Sequence, residues 1–263
     1  MTEPGDDRLR PAGLPLAEFD AAEQAMVVPH PPRTSEPFPA HAVLCFFHEV
    51  LADLESSGRG RRIGAFSREV GGHPIYLIDT PAGPVAAFHP GVGAPLAAHH
   101  LETAISAGGR AFVACGGAGA VQPGLALGHV VVPTAALRDE GTSYHYLPAA
   151  RRVATDPVVV AALVDLLVRR GVPHTAAMTW TTDGLFRETR ERIERRRAEG
   201  CVTVEMETAA LAAVARFRGV PFGQYLYAGD DVSGVSWDHR RWTRSQARTV
   251  LFELSLEAVT LLT

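Results

Sequence analysis

The sequence predicts one α/β domain built on a central sheet, mixed but mostly parallel, with helices on both faces. From Ala40 onward, short β-branched runs alternate with amphipathic stretches, which is typical of strands joined by covering helices. The 263 residues are 46% hydrophobic and 21% charged, which provides enough apolar side chain for one large core. No linker, repeat or low-complexity tract divides residues 40–263, so we expect a single domain there.

The individual elements are predicted from hydrophobic period and composition. Apolar runs rich in β-branched residues predict strands at 43–47, 75–79, 85–89, 111–116, 129–133, 176–181, 202–206 and 224–228. Stretches with helical periodicity predict helices at 94–107, 157–170, 187–199, 207–218 and 241–262. Residues 1–39 are rich in Pro, Asp, Glu and Gly and show no sustained hydrophobic periodicity. We therefore expect an N-terminal arm that is extended or mobile, or that lies over a neighbour.

Charge and composition narrow the possible partners. A formal net charge of −4 and a pI near 6.3 give no electrostatic reason to expect nucleic acid or an anionic membrane as a partner. No apolar run approaches the ~20 residues that span a bilayer. The basic residues are all Arg, which excludes chemistry based on a Schiff-base or P-loop lysine.

Cysteine and histidine spacing gives no sign of a metal site. Cys45, Cys115 and Cys201 lie far apart in apolar surroundings, and their odd number and the absence of CxxC predict buried thiols in a cytoplasmic protein. HExxH, GxSxG and P-loop motifs are absent. The adjacent His99 and His100 cannot share one helix face, so we expect no metal.

An acidic pair stands where a predicted strand runs directly into a helix. Glu205 and Glu207 flank Met206, and Glu207 falls in the first helical turn, where the helix dipole favours a carboxylate. Glu207 is then either a capping residue or a carboxylate that binds two sugar hydroxyls, since an ionised carboxyl offers two acceptor oxygens. Asp230 and Asp231 follow another strand in the same way. They are either turn residues or a half-withdrawn acid that donates a proton.

Two glycine-rich segments and one aromatic segment also follow predicted strands. Gly93 lies in the first glycine segment and Gly117 in the second, and neither segment fits the dinucleotide motif. Glycine there serves a tight turn or lets backbone N–H groups approach an anion or a sugar. Leu185 and Phe186 lie in the aromatic segment, which begins at Trp180, and each either stacks on a base or packs in the core.

Several of these segments, taken in order, resemble the nucleoside phosphorylase superfamily, the branch that contains uridine phosphorylase, hexameric purine nucleoside phosphorylase and the methylthioadenosine nucleosidases. Val204-Glu-Met-Glu-Thr-Ala-Ala-Leu resembles the acidic-Met-acidic ribose motif of that family. Residues 111–123, followed by Gly128-His-Val-Val-Val-Pro-Thr, resemble its central glycine segment. Arg138-Asp-Glu-Gly-Thr-Ser-Tyr-His-Tyr-Leu-Pro resembles the next loop. The resemblance runs from about Ala40 to the C-terminus and implies the fold of the family.

The resemblance also implies a role for each candidate residue. Glu207, with Glu205 and the Met206 backbone, would hold the ribose 2′- and 3′-hydroxyls, and Asp230 would protonate the leaving base. The other substrate-binding positions that it implies are Leu185 or Phe186 for stacking, Arg187 for a base carbonyl, and Gly93 and Gly117 for backbone contacts. Arg61 would reach a phosphate across a dimer interface, which implies a homodimer or a hexamer. No cofactor is implied beyond inorganic phosphate as co-substrate.

The nucleophile is left open between phosphate and water. Phosphorylases of this branch bind phosphate with Gly-Asp-Pro-x-Arg after the first strand, whereas this chain has Phe46-Phe-His-Glu-Val. A second phosphate arginine of the family corresponds to Ala114 and its threonine to Gly117. Phosphorolysis is the expectation that the chain-wide resemblance favours. Hydrolysis with water activated by Glu49, the position of the nucleosidase glutamate, and a non-catalytic nucleoside sensor are the alternatives.

Overall fold

The computed structural model describes residues 13–69, 71–240 and 246–262. The strands within these ranges are β1 His41–Cys45, β2 Arg61–Arg68, β3 Gly71–Thr80, β4 Gly83–Phe88, β5 Ala111–Ala120, β6 Val130–Asp139, β7 Arg152–Ala154, β8 His174–Thr182, β9 Cys201–Glu205 and β10 Phe222–Asp231. The helices are α1 His48–Ser56, α2 Ala94–Ser106, α3 Pro157–Arg169, α4 Arg190–Ala198, α5 Thr208–Arg218 and α6 Ala247–Val259. Short 3₁₀ helices lie at Pro15–Ala17, Thr142–His145 and Leu185–Arg187.

The strands form one sheet in the order β10-β6-β8-β9-β5-β1-β4-β3-β2. Strand β10 also pairs with β5, so β5, β9, β8, β6 and β10 close into a ring. Parallel pairings join β1 to β4 and β5, β5 to β10, and β8 to β6 and β9. Antiparallel pairings join β2 to β3, β3 to β4, β5 to β9 and β6 to β7 and β10. The predicted α/β fold with a mixed central sheet is confirmed, although among the described strands five pairings are parallel and five antiparallel, so the sheet is not mostly parallel.

Helices cover both faces of the sheet. Helices α1, α3 and α6 enclose one core, which includes the buried side chains of Phe47, Tyr225 and Tyr227. Helices α2 and α5 enclose a second core on the opposite face, which includes Leu44, Phe112 and Phe222. Because both faces are covered, the polar ends of the strands are where a ligand has access to the sheet.

The glycine segment after residue 115 is part of a strand. The sequence predicted that this strand ends at Gly116, but β5 continues to Ala120, with Gly117 opposite Tyr227 of β10 and Gly119 opposite Val204 of β9. Glycine weakens a strand, yet here partners on both sides supply the pairing. Strands β2 and β7 and helix α1 were also not predicted. The first residues of the predicted helix 241–262 lie outside the described residues, and α6 begins at Ala247.

The N-terminal segment is described from residue 13 onward, and residues 1–12 lie outside the described part. Beyond the 3₁₀ helix at Pro15–Ala17 it runs without regular structure to β1. It contacts the domain at several points: Thr34 bridges to Gly64, the Glu23 carbonyl accepts from Arg218, and Phe38 is buried in the core beneath α2.

Candidate active site

Several of the predicted site residues lie where strands of the ring end. The register places Thr181 of β8 opposite Glu205 of β9, and Val204 opposite Gly119 of β5. Asp230 of β10 lies against the same glycine: a Cβ added at Gly119 would sit 3.0 Å from Val204 Cγ1 and 3.5 Å from Asp230 Oδ1. The missing side chain at Gly119 therefore makes room for the Asp230 carboxyl beside the acidic pair.

Glu205 anchors the start of α5. Its carboxyl accepts from the Thr181 hydroxyl at 2.6 Å and from the backbone N–H groups of Glu207 and Thr208 at 2.7 and 2.6 Å. Two of these donors are N–H groups that the start of a helix leaves without an intrahelical partner. The capping role considered for Glu207 thus belongs to Glu205. Contact of Glu205 with a substrate stays a prediction.

Glu207 is buried and bridges two helix starts. Its Oε1 accepts from the backbone N–H of Gly93, the residue before α2, at 2.6 Å. Gly93 has a φ of 91°, a conformation that a side chain would strain. Burial, and then the charge of Glu205, raises the pKa of Glu207 to about 8. The backbone N–H groups of Gly93 and Met206 favour the ionised form and act against this increase. Binding of sugar hydroxyls by Glu207 stays a prediction.

The two aspartates at the end of β10 have different surroundings. Asp230 Oδ2 accepts from the indole N–H of Trp237 at 2.6 Å, and Trp237 remains 64% exposed. Asp231 accepts from the backbone N–H of Ser233 at 2.7 Å and forms an ion pair with Arg240. Asp231 is therefore held in the turn by a cation, and the role of Asp230 as an acid stays a prediction.

Leu185 and Phe186 lie on the surface beside this end of the sheet. Leu185 is 52% exposed and Phe186 is 94% exposed, so the core-packing interpretation is wrong for both. They belong to the 3₁₀ helix between β8 and α4, as does the exposed Arg187. Exposed apolar side chains at the mouth of a site are suited to stack on a planar ligand, and that role stays a prediction.

The end of β1 is covered by the aromatic ring of Phe46. The Phe46 ring covers Gly116, since a Cβ there would lie 3.2 Å from Phe46 Cδ2, and it packs edge-on against His89 at 5.8 Å between centroids. Ala114 and Gly117 of β5 are both uncharged. Ala114 is fully buried, and Gly117 pairs with Tyr227 of β10. His89 in turn accepts from Gly91 N–H at 2.9 Å, which links this end to the loop before α2.

Glu49, in the first turn of α1, is held by an arginine from the other end of the chain. Its Oε1 accepts from Arg248 Nη1 at 2.5 Å. Arg248 also donates to the Tyr227 hydroxyl at 3.0 Å, and its guanidinium lies 5.2 Å from the Phe47 ring centroid. The Arg248 side chain is only 10% exposed, whereas that of Glu49 is 54% exposed. A mostly buried cation thus fixes a carboxylate that still reaches solvent.

Arg61 does not join these residues within one chain. It lies on β2, four strands away from β5 in the sheet order, or about 19 Å at the usual strand spacing. Its guanidinium binds Glu36 and Asp79, with N···O distances of 2.7 Å to each. Its predicted contact with phosphate therefore requires a second copy of the chain, and it stays a prediction.

Three residues of the site were missed by the sequence interpretation: Trp237, Glu188 and Arg248. Glu188 lies in the aromatic segment and Arg248 in a predicted helix, but neither residue was singled out, and only the contacts in the structure indicate a role for the three. In the described ranges, no group of three or more His, Cys, Asp or Glu side chains is arranged to hold a metal ion. The helices of the described part are also too short or too polar to cross a membrane.

Comparison with known proteins gives a consistent result. The profile of the phosphorylase superfamily matches residues 40–260. Uridine phosphorylase of Thermococcus kodakarensis is 26% identical over 214 residues, or 73% of this chain and 77% of that protein. The structure of purine nucleoside phosphorylase from Toxoplasma gondii matches at a TM-score of 0.75 and 18% identity, over 90% of this chain and 97% of that one.

The fold is shared with a nucleosidase as well. AMP nucleosidase from Bacteroides thetaiotaomicron matches at a TM-score of 0.70 and 22% identity, over 85% of this chain and 88% of that one. At such identities the two structures establish the fold, and the match along residues 40–260 establishes the family. With the acidic pair at the start of α5 in the place that the motif predicts, this chain belongs to the phosphorylase superfamily.

Proposed function

We propose that this protein cleaves the N-glycosidic bond of a purine nucleoside and that water, activated by Glu49, is the nucleophile. The observation that carries the choice of water is the Glu49–Arg248 pair at the end of β1. A carboxylate there repels a phosphate dianion, and the neighbouring Phe46 offers it no charge-assisted hydrogen bond. The same carboxylate accepts a proton from water.

The ribose would be held at the acidic pair. Glu207 accepts from the 2′- and 3′-hydroxyls; Gly93 N–H donates to its carboxyl, and Glu205 accepts from its backbone N–H. The anomeric carbon becomes positively charged as the glycosidic bond stretches. The developing charge favours the ionised form of Glu207 over the protonated form, and the ionised carboxylate binds the sugar more tightly in that state than in the ground state, which accelerates the reaction.

Asp230 would supply the proton that leaves with the base. Purines accept that proton on a ring nitrogen, which is why an acid at this position favours a purine over uracil. Protonation of the leaving group by a positioned acid contributes ~10²–10⁴-fold. The bond between the anomeric carbon and the base nitrogen breaks, its electron pair stays with the base, and water adds from the opposite face. Glu49 accepts the proton of that water, and the products are free base and free ribose.

Phosphorolysis is the second candidate, and the name of the curated relative, uridine phosphorylase, favours it. Arg248 would then serve as the cation, and Glu49 would have to release it to phosphate. The products would be free base and ribose 1-phosphate, with no cofactor. A non-catalytic sensor is less well supported, because a binding protein has no need of an acid such as Asp230 beside the ribose residues.

The proposed oligomeric state, cellular compartment and domain organisation are supported by fewer observations. A homodimer or hexamer is supported by Arg61, which lies far from its own site on an edge strand where a neighbour can approach. A reducing, cytoplasmic setting is supported by three free, buried cysteines. A single domain over residues 40–263, preceded by an arm, is supported by the family match over 40–260.

The test is a product assay with a panel of purine and pyrimidine nucleosides, each with and without phosphate. Chromatography resolves free base, ribose and ribose 1-phosphate. We expect purine release as free ribose at a rate that does not depend on phosphate. Release that requires phosphate and yields ribose 1-phosphate would replace the first candidate by the second. Binding without release from any nucleoside would support the sensor.

A further inference from the structure

His89 is a half-buried residue that directly follows β4 and contacts the loop that serves Glu207. Its Nδ1 accepts from the backbone N–H of Gly91 at 2.9 Å. Two residues further along, the N–H of Gly93 donates to the Glu207 carboxyl at 2.6 Å. The imidazole therefore helps to fix the loop that presents a donor to the proposed sugar-binding carboxyl.

The same imidazole also contacts the end of β1. It packs edge-on against the Phe46 ring, at 5.8 Å between centroids, and it hydrogen-bonds the backbone of Phe46. Since Nδ1 accepts from Gly91, the nitrogen that donates in this second bond is Nε2, and its acceptor is the carbonyl. Phe46 lies three residues before Glu49, which is in the first turn of α1. One side chain thus joins the segment before α1 to the loop before α2.

Two further histidines hold the backbone around His89. His73 of β3 donates from Nδ1 to the His89 carbonyl at 3.0 Å, and His100 of α2 donates from Nδ1 to the Pro90 carbonyl at 2.8 Å. Gly91 has a φ of 83°, which a side chain would strain. The loop before α2 is therefore fastened to β3 and α2 at consecutive residues.

The surroundings of His89 favour the neutral ring. Burial, and then the charges of His73 and His48, lower its pKa to about 4, while a backbone hydrogen bond and the charge of Glu49 act in the opposite direction. A neutral imidazole has one acceptor and one donor nitrogen, as its two contacts require. A protonated ring would set an N–H group against the N–H of Gly91.

We propose that His89 is a positioning residue that holds Glu49 and Glu207 at a fixed separation. It ties the start of α1, which carries Glu49, to the loop before α2, which binds Glu207. Addition of a nucleophile to the sugar depends on this separation, since a misplacement of about 1 Å can cost about 10²-fold in rate. The inference rests on the proposed cleavage of a nucleoside with water activated by Glu49.

Two amide variants separate the two contacts of the ring. The amide of Asn reaches the position of Nδ1, and that of Gln reaches the position of Nε2. His89→Asn keeps an acceptor for Gly91 and loses the bond to Phe46, so we expect kcat to fall about tenfold with KM nearly unchanged. His89→Gln keeps the bond to Phe46 and leaves Gly91 N–H unpaired, so we expect KM to rise about tenfold, the scale of one lost hydrogen bond.

The matched control is His174→Asn. His174 is also half-buried and also bonds to the backbone, at the Val172 carbonyl, but it lies at the start of β8. Its replacement should leave kcat and KM unchanged, and circular dichroism checks that all variants are folded. A purely structural role of His89 predicts the same change of kcat and KM in both of its variants, and that result, or wild-type kinetics in both, would overturn the inference.

Two measurements that need no turnover separate this inference from the proposed function. NMR of protein labelled with ¹⁵N-histidine should show the His89 proton on Nε2 at pH 6, with His89→Asn assigning the signal. Calorimetry with inosine and adenosine should show binding about tenfold weaker in His89→Gln and unchanged in His89→Asn. If these results are found but no nucleoside is cleaved, the proposed function fails and the positioning stands. A proton on Nδ1, equal affinities of the wild type and both variants, or binding of neither nucleoside would overturn the inference.

Discussion

The proposed ribose end, at Glu205 and Glu207, and the proposed nucleophile end, at Glu49 and Arg248, are built in different ways. At the ribose end, Glu205 and Glu207 are two residues apart at one strand–helix junction, and backbone N–H groups hold both carboxyls. At the nucleophile end, Glu49 and Arg248 are 199 residues apart and meet only because α6 packs against β1 and β5. A local motif fixes the first, and a long-range contact fixes the second.

The two ends differ in how readily a substitution can change the chemistry without disturbing the fold. The ribose end depends on helix starts, so a replacement without an acceptor oxygen leaves backbone N–H groups there unpaired and also removes the sugar contact. The nucleophile end depends on side chains that project from α1 and α6, where replacing one residue leaves the backbone pairing of the sheet intact. We infer that the fold retains sugar binding while the nucleophile is set by a few exchangeable side chains.

The largest expected effect is at the ribose end. Glu207→Gln keeps an acceptor for Gly93 N–H but loses the negative charge that stabilises the developing cation. We expect kcat/KM to fall by about 10²–10³-fold, the usual scale for one electrostatic contact made in the transition state. Steady-state kinetics and circular dichroism of the variant check this. A fall of less than about threefold in a folded variant would remove Glu207 from the catalytic account.

A smaller but more selective effect is expected at the nucleophile end. Glu49→Gln should lower release of the base by about 10²-fold, the lower scale of general base catalysis. Glu55→Gln, on the exposed side of the same helix, is the control and should leave the rate unchanged. Equal rates for wild type and Glu49→Gln would exclude Glu49 as the base and favour phosphate as the nucleophile.

The contact between Trp237 and Asp230 should matter less than either carboxylate. Trp237→Phe removes one hydrogen bond, worth about 1 kcal/mol, and keeps most of the ring. We expect kcat to fall by about fivefold to tenfold with KM nearly unchanged, because Trp237 positions the acid. A change confined to KM would instead indicate that the Trp237 ring contacts the base.

The smallest expected effect is on stability, and it depends on pH. The pKa of Glu207 is about 8 in the folded protein, above its value of about 4.3 in an unfolded chain, so the folded state holds a proton that the unfolded state has lost. Stability therefore falls as the pH rises from about 4.3 to 8. Denaturant unfolding should show Glu207→Gln gaining at least about 1 kcal/mol over wild type between pH 5 and 8. A constant difference would contradict the raised pKa.

The same contrast explains what could be predicted from the sequence. The strand–helix junction at Glu205 and Glu207 and the aspartate at the end of β10 were predicted because residues near in sequence share their environment. The strand β2 was missed because Arg61 and Arg62 begin it and Gly64 interrupts its apolar run. The end of β5 was missed because its glycines are typical of a loop, while their partners Tyr227 and Val204 come from distant segments.

Arg248 and Trp237 could not have been assigned a role in advance. Arg248 is one of several arginines near the C-terminus, and its role follows from burial between Phe47 and the Tyr227 hydroxyl. Trp237 lies in a loop without hydrophobic periodicity. A backbone bridge between Asp231 and Asp238 places its indole within hydrogen-bond distance of Asp230. Such contacts depend on the packing of the whole chain, which no local pattern encodes.

The central claim is that Glu49 activates water at one end of the site while Glu207 holds the sugar at the other. Chemical rescue tests this claim most directly. Azide is a small nucleophile that needs no base, so it can replace activated water when the base is removed. We predict that azide restores base release in Glu49→Ala, with ribosyl azide as a product, and that it does not restore release in Glu207→Ala. Absence of rescue in Glu49→Ala, together with a wild-type reaction that requires phosphate, would contradict this account.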